Sequence, residues 1–237
     1  MYQNLTYKNR SPIKRFSHGR RLELIPKYLQ NSALKKGAKL LDYGTGDGKI
    51  FKFLAPLQKI HGLQLAAYEP IGEQYQQLVE LVEKDQLIVE CHENLEQLGK
   101  YNYILCMEVL EHFSASDIIK HLEIFKRLLK PEGKLIISVP IESGFGGSLK
   151  NLVRLSIGQT HAGLNMKTFI KAFFGKPLFR GYDRYYNSHI GFNHKHLEYL
   201  MIDSGLVINE TFYSPFPVIS SIINSQKFYV CSIRKTD

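Results

Sequence analysis

The chain has no tryptophan, three cysteines, and no run approaching the roughly 18 apolar residues a membrane-spanning helix requires. The three thiols, Cys91, Cys106 and Cys231, stand alone within or beside apolar runs, and none forms a C-x-x-C pair. A disulfide framework and a cysteine zinc site are thereby excluded, and the thiols read as buried and reduced, as in a cytosolic protein. The first 21 residues are polar and basic with no apolar centre, which argues against a secretory signal. The resulting expectation is a cytoplasmic protein, with peripheral contact at the inner membrane surface as the further option.

Acidic residues are scarce in two segments. Residues 1–36 hold nine Lys/Arg against Glu23 alone, and residues 141–193 hold seven against Glu142 and Asp183. The formal net charge is +9, so the rest of the chain is net negative. An anionic partner is implied for the basic segments: nucleic acid, a membrane surface or an anionic substrate. With 237 residues, 44% hydrophobic and 22% charged, the chain has the composition of one globular domain with an appendage.

Short apolar runs alternate with amphipathic ones. Ser17 to Gln30 reads as a helix, and Lys39–Tyr43, Leu63–Glu69, Leu87–Glu90, Tyr101–Cys106 and Lys134–Val139 read as strands. Between them, Ile50–Leu57, Gln74–Glu83 and Asp117–Lys130 read as helices, the last stopped by Pro131 and Gly133. This alternation predicts right-handed βαβ units and a Rossmann-like, doubly wound parallel sheet with helices on both faces. After a helix around Lys195–Ser204, the runs Leu206–Tyr213 and Lys227–Ile233 read as an antiparallel pair on the sheet edge. The predicted organisation is a basic N-terminal helical arm over residues 1–36 and a catalytic domain over 37–237, in which 141–193 form a cap or lid insertion.

The turn after the first strand carries the chemistry. Leu40-Leu-Asp-Tyr-Gly-Thr-Gly-Asp-Gly48 places Gly44, Gly46 and Gly48 at alternate positions between a strand and a helix, where a ligand can approach the backbone and meet unpaired N–H groups. A dinucleotide fingerprint would have glycine in place of Lys49, so the pattern departs from that of an NAD enzyme. Glu69 closes the second strand 21 residues after Gly48, where a carboxylate can accept both hydroxyls of a ribose. The competing reading makes Glu69 a helix-start acid before Pro70.

Together with Tyr68-Glu-Pro70, Tyr103-Ile-Leu-Cys-Met-Glu-Val-Leu-Glu-His112 and Leu129-Lys-Pro-Glu-Gly-Lys-Leu135, the loop resembles the motif series of class I S-adenosylmethionine-dependent methyltransferases, over about residues 37–140 plus the last helix and hairpin. That resemblance implies a seven-stranded sheet, six strands parallel and the last inserted antiparallel. It implies S-adenosyl-L-methionine as cofactor, with Asp42, Gly44, Gly46 and Gly48 holding the methionine moiety, Glu69 the ribose and Asn94 the adenine. Met107 would pack against the cofactor, and Arg21 would contact its carboxylate.

Glu108, Glu111 and His112 follow the fourth strand, where open α/β sheets bind ligands. If this turn is helical the three share a face and suit a divalent ion such as Mg²⁺, Mn²⁺ or Zn²⁺. The stretch is similar to the metal-binding segment of ubiquinone-biosynthesis O-methyltransferases and to the Glu-x-x-Glu-His of small-RNA 3′-end methyltransferases. The latter implies one more histidine, for which His194 and His196 are available. Many metal-free relatives carry the same run, and for a metal-free enzyme His112 or His189 is the general base, because imidazole titrates near neutral pH.

Within the insertion, Met166, Phe169, Ile170, Phe173 and Phe174 line one helical face opposite Lys167 and Lys171, a pattern for a cap helix or for contact with an anionic membrane. Phe179, Tyr182, Tyr185, Tyr186 and Phe192, interleaved with Arg180 and Arg184, form either cap core or a stacking surface. The expected activity is O-methylation of a small-molecule or lipid-linked anionic acceptor. Methylation of RNA, and a non-catalytic cofactor-binding scaffold, are the alternatives.

Overall fold

The computed structural model describes residues 12–32, 34–141, 192–216 and 224–235. Four of the short apolar runs are parallel strands: β1 (Lys39–Tyr43), β2 (Gln64–Tyr68), β3 (Val89–His92) and β4 (Tyr101–Met107). Leu41 lies opposite Ala66 and Ile104, and Leu65 opposite Val89, so the four strands start at one end of the sheet and finish at the other. Consecutive residues of β1 and β2, among them Leu40, Leu41, Ala66 and Ala67, are buried without alternation, as expected of strands covered on both faces.

The crossover helices follow from apolar spacing. Helix α2 (Ile50–His61) buries Ile50, Phe51, Leu54 and Leu57, and ends where Gly62 takes a left-handed φ of 65° and donates its N–H to the Gln58 carbonyl at 2.8 Å. Helix α3 (Gly72–Lys84) connects β2 to β3. Helix α1 (Pro12–Asn31), ahead of β1, buries Leu22, Ile25 and Leu29. These elements belong to a compact unit formed by residues 1–107 with 127–136.

A second unit comprises residues 108–126 with 137–237. It holds most of α4 (Ala115–Leu128), the end of β5 (Leu129–Pro140), α5 (His194–Asp203), β6 (Leu206–Ser214) and β7 (Gln226–Ile233). Strands β6 and β7 pair antiparallel from Leu206↔Ile233 to Ser214↔Gln226. Asn193 caps α5 by accepting the Lys195 N–H at 3.0 Å. The seven strands form one sheet in the order 3-2-1-4-5-7-6, six parallel and β7 antiparallel. The expected fold is the observed one, including the last strand inserted beside β5.

Several boundaries differ from the sequence reading, among them the start of α1 at Pro12 and the end of α2 at His61, and two of the differences have a local cause. Strand β3 starts two residues late because Gln86 adopts φ 51° and the Leu87 N–H returns to Val82 at 2.9 Å, prolonging the exit from α3. Helix α4 stops at Leu128 because Pro131 disfavours helical geometry at Lys130, and β5 begins at once. Cys91, Cys106 and Cys231 are free thiols. No described helix is long and apolar enough to cross a membrane. Nearly all of the insertion, residues 142–191, lies outside the described residues, and with it the proposed cap helix, the aromatic cluster apart from Phe192, and His189.

The turn from β1 into α2 packs on α3 at Gly48, which has φ +70° and where a Cβ would lie 2.5 Å from Leu78 Cδ1. Gly48→Ala is expected to cost about 2–4 kcal/mol, from the left-handed backbone and overpacking combined. Gly99→Ala, with nothing within 4 Å, should change stability little. Thermal unfolding of the two variants beside the parent checks both.

Candidate functional site

At the C-terminal end of β1 the backbone alternates into the left-handed region at Gly44, Gly46 and Gly48, with φ of 72°, 60° and 70°. An L side chain at these positions costs about 1–2 kcal/mol each, so the glycine spacing is what allows the chain to coil here. The coil is tied to the end of β2. Gly44 and Thr45 donate their N–H groups to the Tyr68 carbonyl at 2.8 and 3.2 Å, and Gly46 donates to Glu69 Oε2 at 2.8 Å. The other carboxylate oxygen of Glu69 accepts from the Ile71 N–H at 3.0 Å, while the Glu69 N–H goes to His92. Glu69, 3% exposed, therefore fixes the glycine loop and the start of α3 with one carboxylate, and retains lone pairs for a ligand hydroxyl.

Asp42, on β1 at the foot of this loop, is 2% exposed. Burial pushes its pKa up to about 7; the Thr45 hydroxyl opposes this, the Glu69 carboxylate adds to it, and the Arg21 guanidinium again opposes it. Glu69 is also raised by burial, against the pull of the Ile71 and Gly46 N–H groups. Two acids held out of water beside each other favour a cationic ligand that would restore their ionisation. A sulfonium or ammonium group fits that electrostatic demand, and ribose hydroxyls fit the lone pairs of Glu69. Arg21, Asp42, the three glycines and Glu69 are thus gathered in the first unit. Asn94 is exposed just after β3, at the start of a single 3₁₀ turn (Leu95–Gln97), and Met107 ends β4.

In the second unit, the residue after β4 departs from the helical turn anticipated for Glu108 to His112. Glu108 has φ 56°, a left-handed conformation uncommon outside glycine, and only Leu110–His112 form a 3₁₀ turn. The Glu108 N–H is held by the Ser138 carbonyl at 3.0 Å, and its carboxylate accepts from the Gln226 side-chain amide. Glu111 and His112 are buried. Among the described residues, no three His, Cys, Asp or Glu side chains converge as a metal-holding group. The helical face anticipated for Glu108, Glu111 and His112 is corrected accordingly, and the described geometry lends no support to a divalent ion such as Mg²⁺ there. The left-handed step at Glu108 breaks the three- and four-residue spacing, and the Gln226 amide engages the Glu108 carboxylate.

Among the described residues, neither downstream histidine belongs to a metal-holding group. His194 is buried at the start of α5, where burial foremost and then the Lys227 charge lower its pKa. Nearby, Glu198 accepts from the Tyr229 hydroxyl and from Lys227, both at 2.8 Å. His196 stacks on Tyr199 at 6.4 Å.

Sequence reasoning missed Gln226 and the backbone role of Ile71. Ile71 was legible in principle, as the second residue after Glu69, where a carboxylate commonly turns back on the chain. Gln226 was not, because its partner stands 118 residues away and only the insertion of β7 brings it there.

A family model described as a methyltransferase domain matches residues 16–210. Among solved structures, the magnesium protoporphyrin IX methyltransferase of Synechocystis PCC 6803 with bound SAH is 16% identical, with a TM-score of 0.62 over 95% of this chain and 88% of that one. A SAM-dependent methyltransferase from Aquifex aeolicus is 19% identical, TM-score 0.58, covering 93% and 96%. An S-adenosylmethionine-dependent methyltransferase from Clostridium acetobutylicum is 14% identical, TM-score 0.60, covering 99% and 97%. At these identities the structural likeness speaks for the fold. No curated protein matches. The family match runs from within α1 through the glycine loop, Glu69 and the Glu108 turn into β6, and the chain belongs to the methyltransferase-domain family.

Proposed function

We propose that the chain transfers a methyl group from S-adenosylmethionine to an oxygen of a small acceptor. The observation that carries this reading is the pair of buried acids at the glycine loop, Asp42 and Glu69, in a member of the methyltransferase-domain family. When bound, the cofactor supplies an electrophilic methyl on a cationic sulfur. The chain's own part is to hold it. Asp42 and the glycine loop would hold the methionine portion, Arg21 would balance its carboxylate, Glu69 would take the ribose, Asn94 the adenine, and Met107 would pack against the cofactor.

Transfer itself is an in-line displacement, for which positioning supplies most of the acceleration. The bound cofactor would supply the methyl group to an acceptor oxygen, its sulfur keeping the carbon–sulfur electron pair, and the acceptor's proton would have to leave. His112 is the described imidazole for that proton, and His189 is the second candidate. Oxygen as the methylated atom is supported by the Cys106-Met-Glu-Val-Leu-Glu-His112 run, which resembles that of ubiquinone-biosynthesis O-methyltransferases. With the Glu108 turn in its observed form, no step is assigned to a metal ion.

Three results are expected. Calorimetric titration of S-adenosylmethionine should give saturable binding, and Glu69→Ala should weaken it by about 10- to 150-fold, since hydrogen bonds to a buried charge contribute about 1.5–3 kcal/mol. Unchanged affinity would remove Glu69 from the ribose.

Asp42 also sets a pH dependence. Its folded pKa lies above the unfolded value, so the folded state holds the extra proton. Its stability contribution is complete below about pH 4 and is lost as pH rises toward about 7, on the order of 4 kcal/mol in all. Asp42→Asn should flatten that slope in ligand-free unfolding curves recorded from acid to neutral pH, while weakening cofactor binding. A slope that survives the substitution belongs to another group.

Finally, labelled-methyl transfer to pools of hydroxyl-bearing metabolites should be lowered by about 10²–10⁴ in His112→Ala with cofactor affinity intact. Equal activity in that variant would move the base to His189.

A further inference from the structure

The strand registers place the N-terminal ends of β1 to β4 at the end of the sheet opposite the glycine loop. Around that pole, all within the first unit, stand exposed Lys35, Lys36 and Lys39 before and at the start of β1, Lys59 at the end of α2, Lys84 at the end of α3 and Lys100 before β4. The segments are in direct contact. The Gly37 N–H bonds the His61 carbonyl at 2.9 Å, the Lys39 N–H bonds Asn102 Oδ1 at 3.0 Å, and Lys130 Nζ reaches the same Asn102 oxygen at 3.0 Å. The acids nearby are Glu83, Glu132 and Asp85, of which Asp85 is paired with Lys52. At the other end of the same unit Asp42, Asp47, Glu69, Glu73, Glu93 and Glu96 gather near the cofactor loop, where Lys49 pairs with Asp47 and Arg21 stands by Asp42. The modest charge of this region in sequence is thus the sum of an acidic end and a basic end.

The basic pole also carries the two most exposed aliphatic side chains among the described residues. Ile60 is 68% exposed in the last turn of α2, and Ile88 is 77% exposed in the link from α3 to β3. The two links are joined by the Gln58 side-chain amide, which donates to the Ile88 carbonyl at 2.7 Å. We infer that this pole is a docking surface for an anionic lipid bilayer, with the lysines at the headgroups and the isoleucine tips entering the interface. Lysine on flexible stems beside isolated aliphatic tips matches lipid headgroups and acyl boundary. A protein interface would instead draw on aromatic and arginine anchors and is depleted in lysine. A nucleic-acid groove would use aromatic stacking, to which isoleucine adds nothing. The cofactor loop lies at the opposite ends of the same strands, so the docked molecule presents it to the aqueous side and takes water-borne acceptors.

The test uses the full chain and sedimentation with vesicles of phosphatidylcholine containing about 30% phosphatidylglycerol, beside pure phosphatidylcholine, near 0.1 M salt. Binding is expected to the anionic vesicles only. The triple variant K35E/K36E/K59E should weaken it at least about a hundredfold, and Ile60→Ser and Ile88→Ser by about tenfold each. Lys195→Glu, an exposed charge on α5, should leave it unchanged. Unaltered cofactor affinity in each variant shows that the fold is intact and separates this result from the catalytic reading. Equal binding to neutral vesicles, full binding by the triple variant, or binding to duplex RNA in place of vesicles would overturn the proposal.

Discussion

Everything at the candidate site depends on the cost of keeping the carboxylate of Glu69 out of water. That carboxylate is held by the Gly46 and Ile71 N–H groups at 2.8 and 3.0 Å, and through them it fixes the glycine coil against the end of β2 and sets the start of α3. Replacing water by two backbone donors satisfies part of the charge, yet the group still titrates high, and Asp42 beside it titrates near neutrality. A pair of buried acids in this condition makes the empty fold less stable than it would be with neutral residues. Retaining them is consistent with a ligand whose positive charge and hydroxyl groups complete the arrangement.

The same logic separates the two ends of the first unit. Acids cluster where the parallel strands finish, and lysines with two bare isoleucines cluster where they begin. A uniform charge would give the molecule no preferred orientation toward an anionic surface; this segregation does. The cofactor loop and the basic pole can then act together, one holding a cationic ligand while the other sets which way the site faces.

Much of this was legible in sequence because it is local. The φ of Gly44, Gly46 and Gly48 follows from their spacing, and Glu69 is read from its place at a strand end. Strand and helix order follows from apolar runs and from stops such as Pro131 and Gly133. What could not be read was set by long-range pairing. The amide of Gln226 reaches Glu108 only after β7 inserts in the sheet, and that contact, with the left-handed step at Glu108, removes the helical face on which a metal site had been expected. Segment sums of charge likewise concealed the basic pole, because its lysines come from four separate connections.

The central claim, that Asp42 and Glu69 form a site demanding a cation, predicts a proton balance. Asp42 holds a proton in the ligand-free protein up to about pH 7 and should lose it when a positive ligand binds. Calorimetry of S-adenosylmethionine binding near pH 6, in buffers of different ionisation enthalpy, measures that exchange directly. The account predicts release of close to one proton per cofactor bound, shrinking as the pH is raised beyond 7. Binding without proton exchange, or with proton uptake, would contradict it.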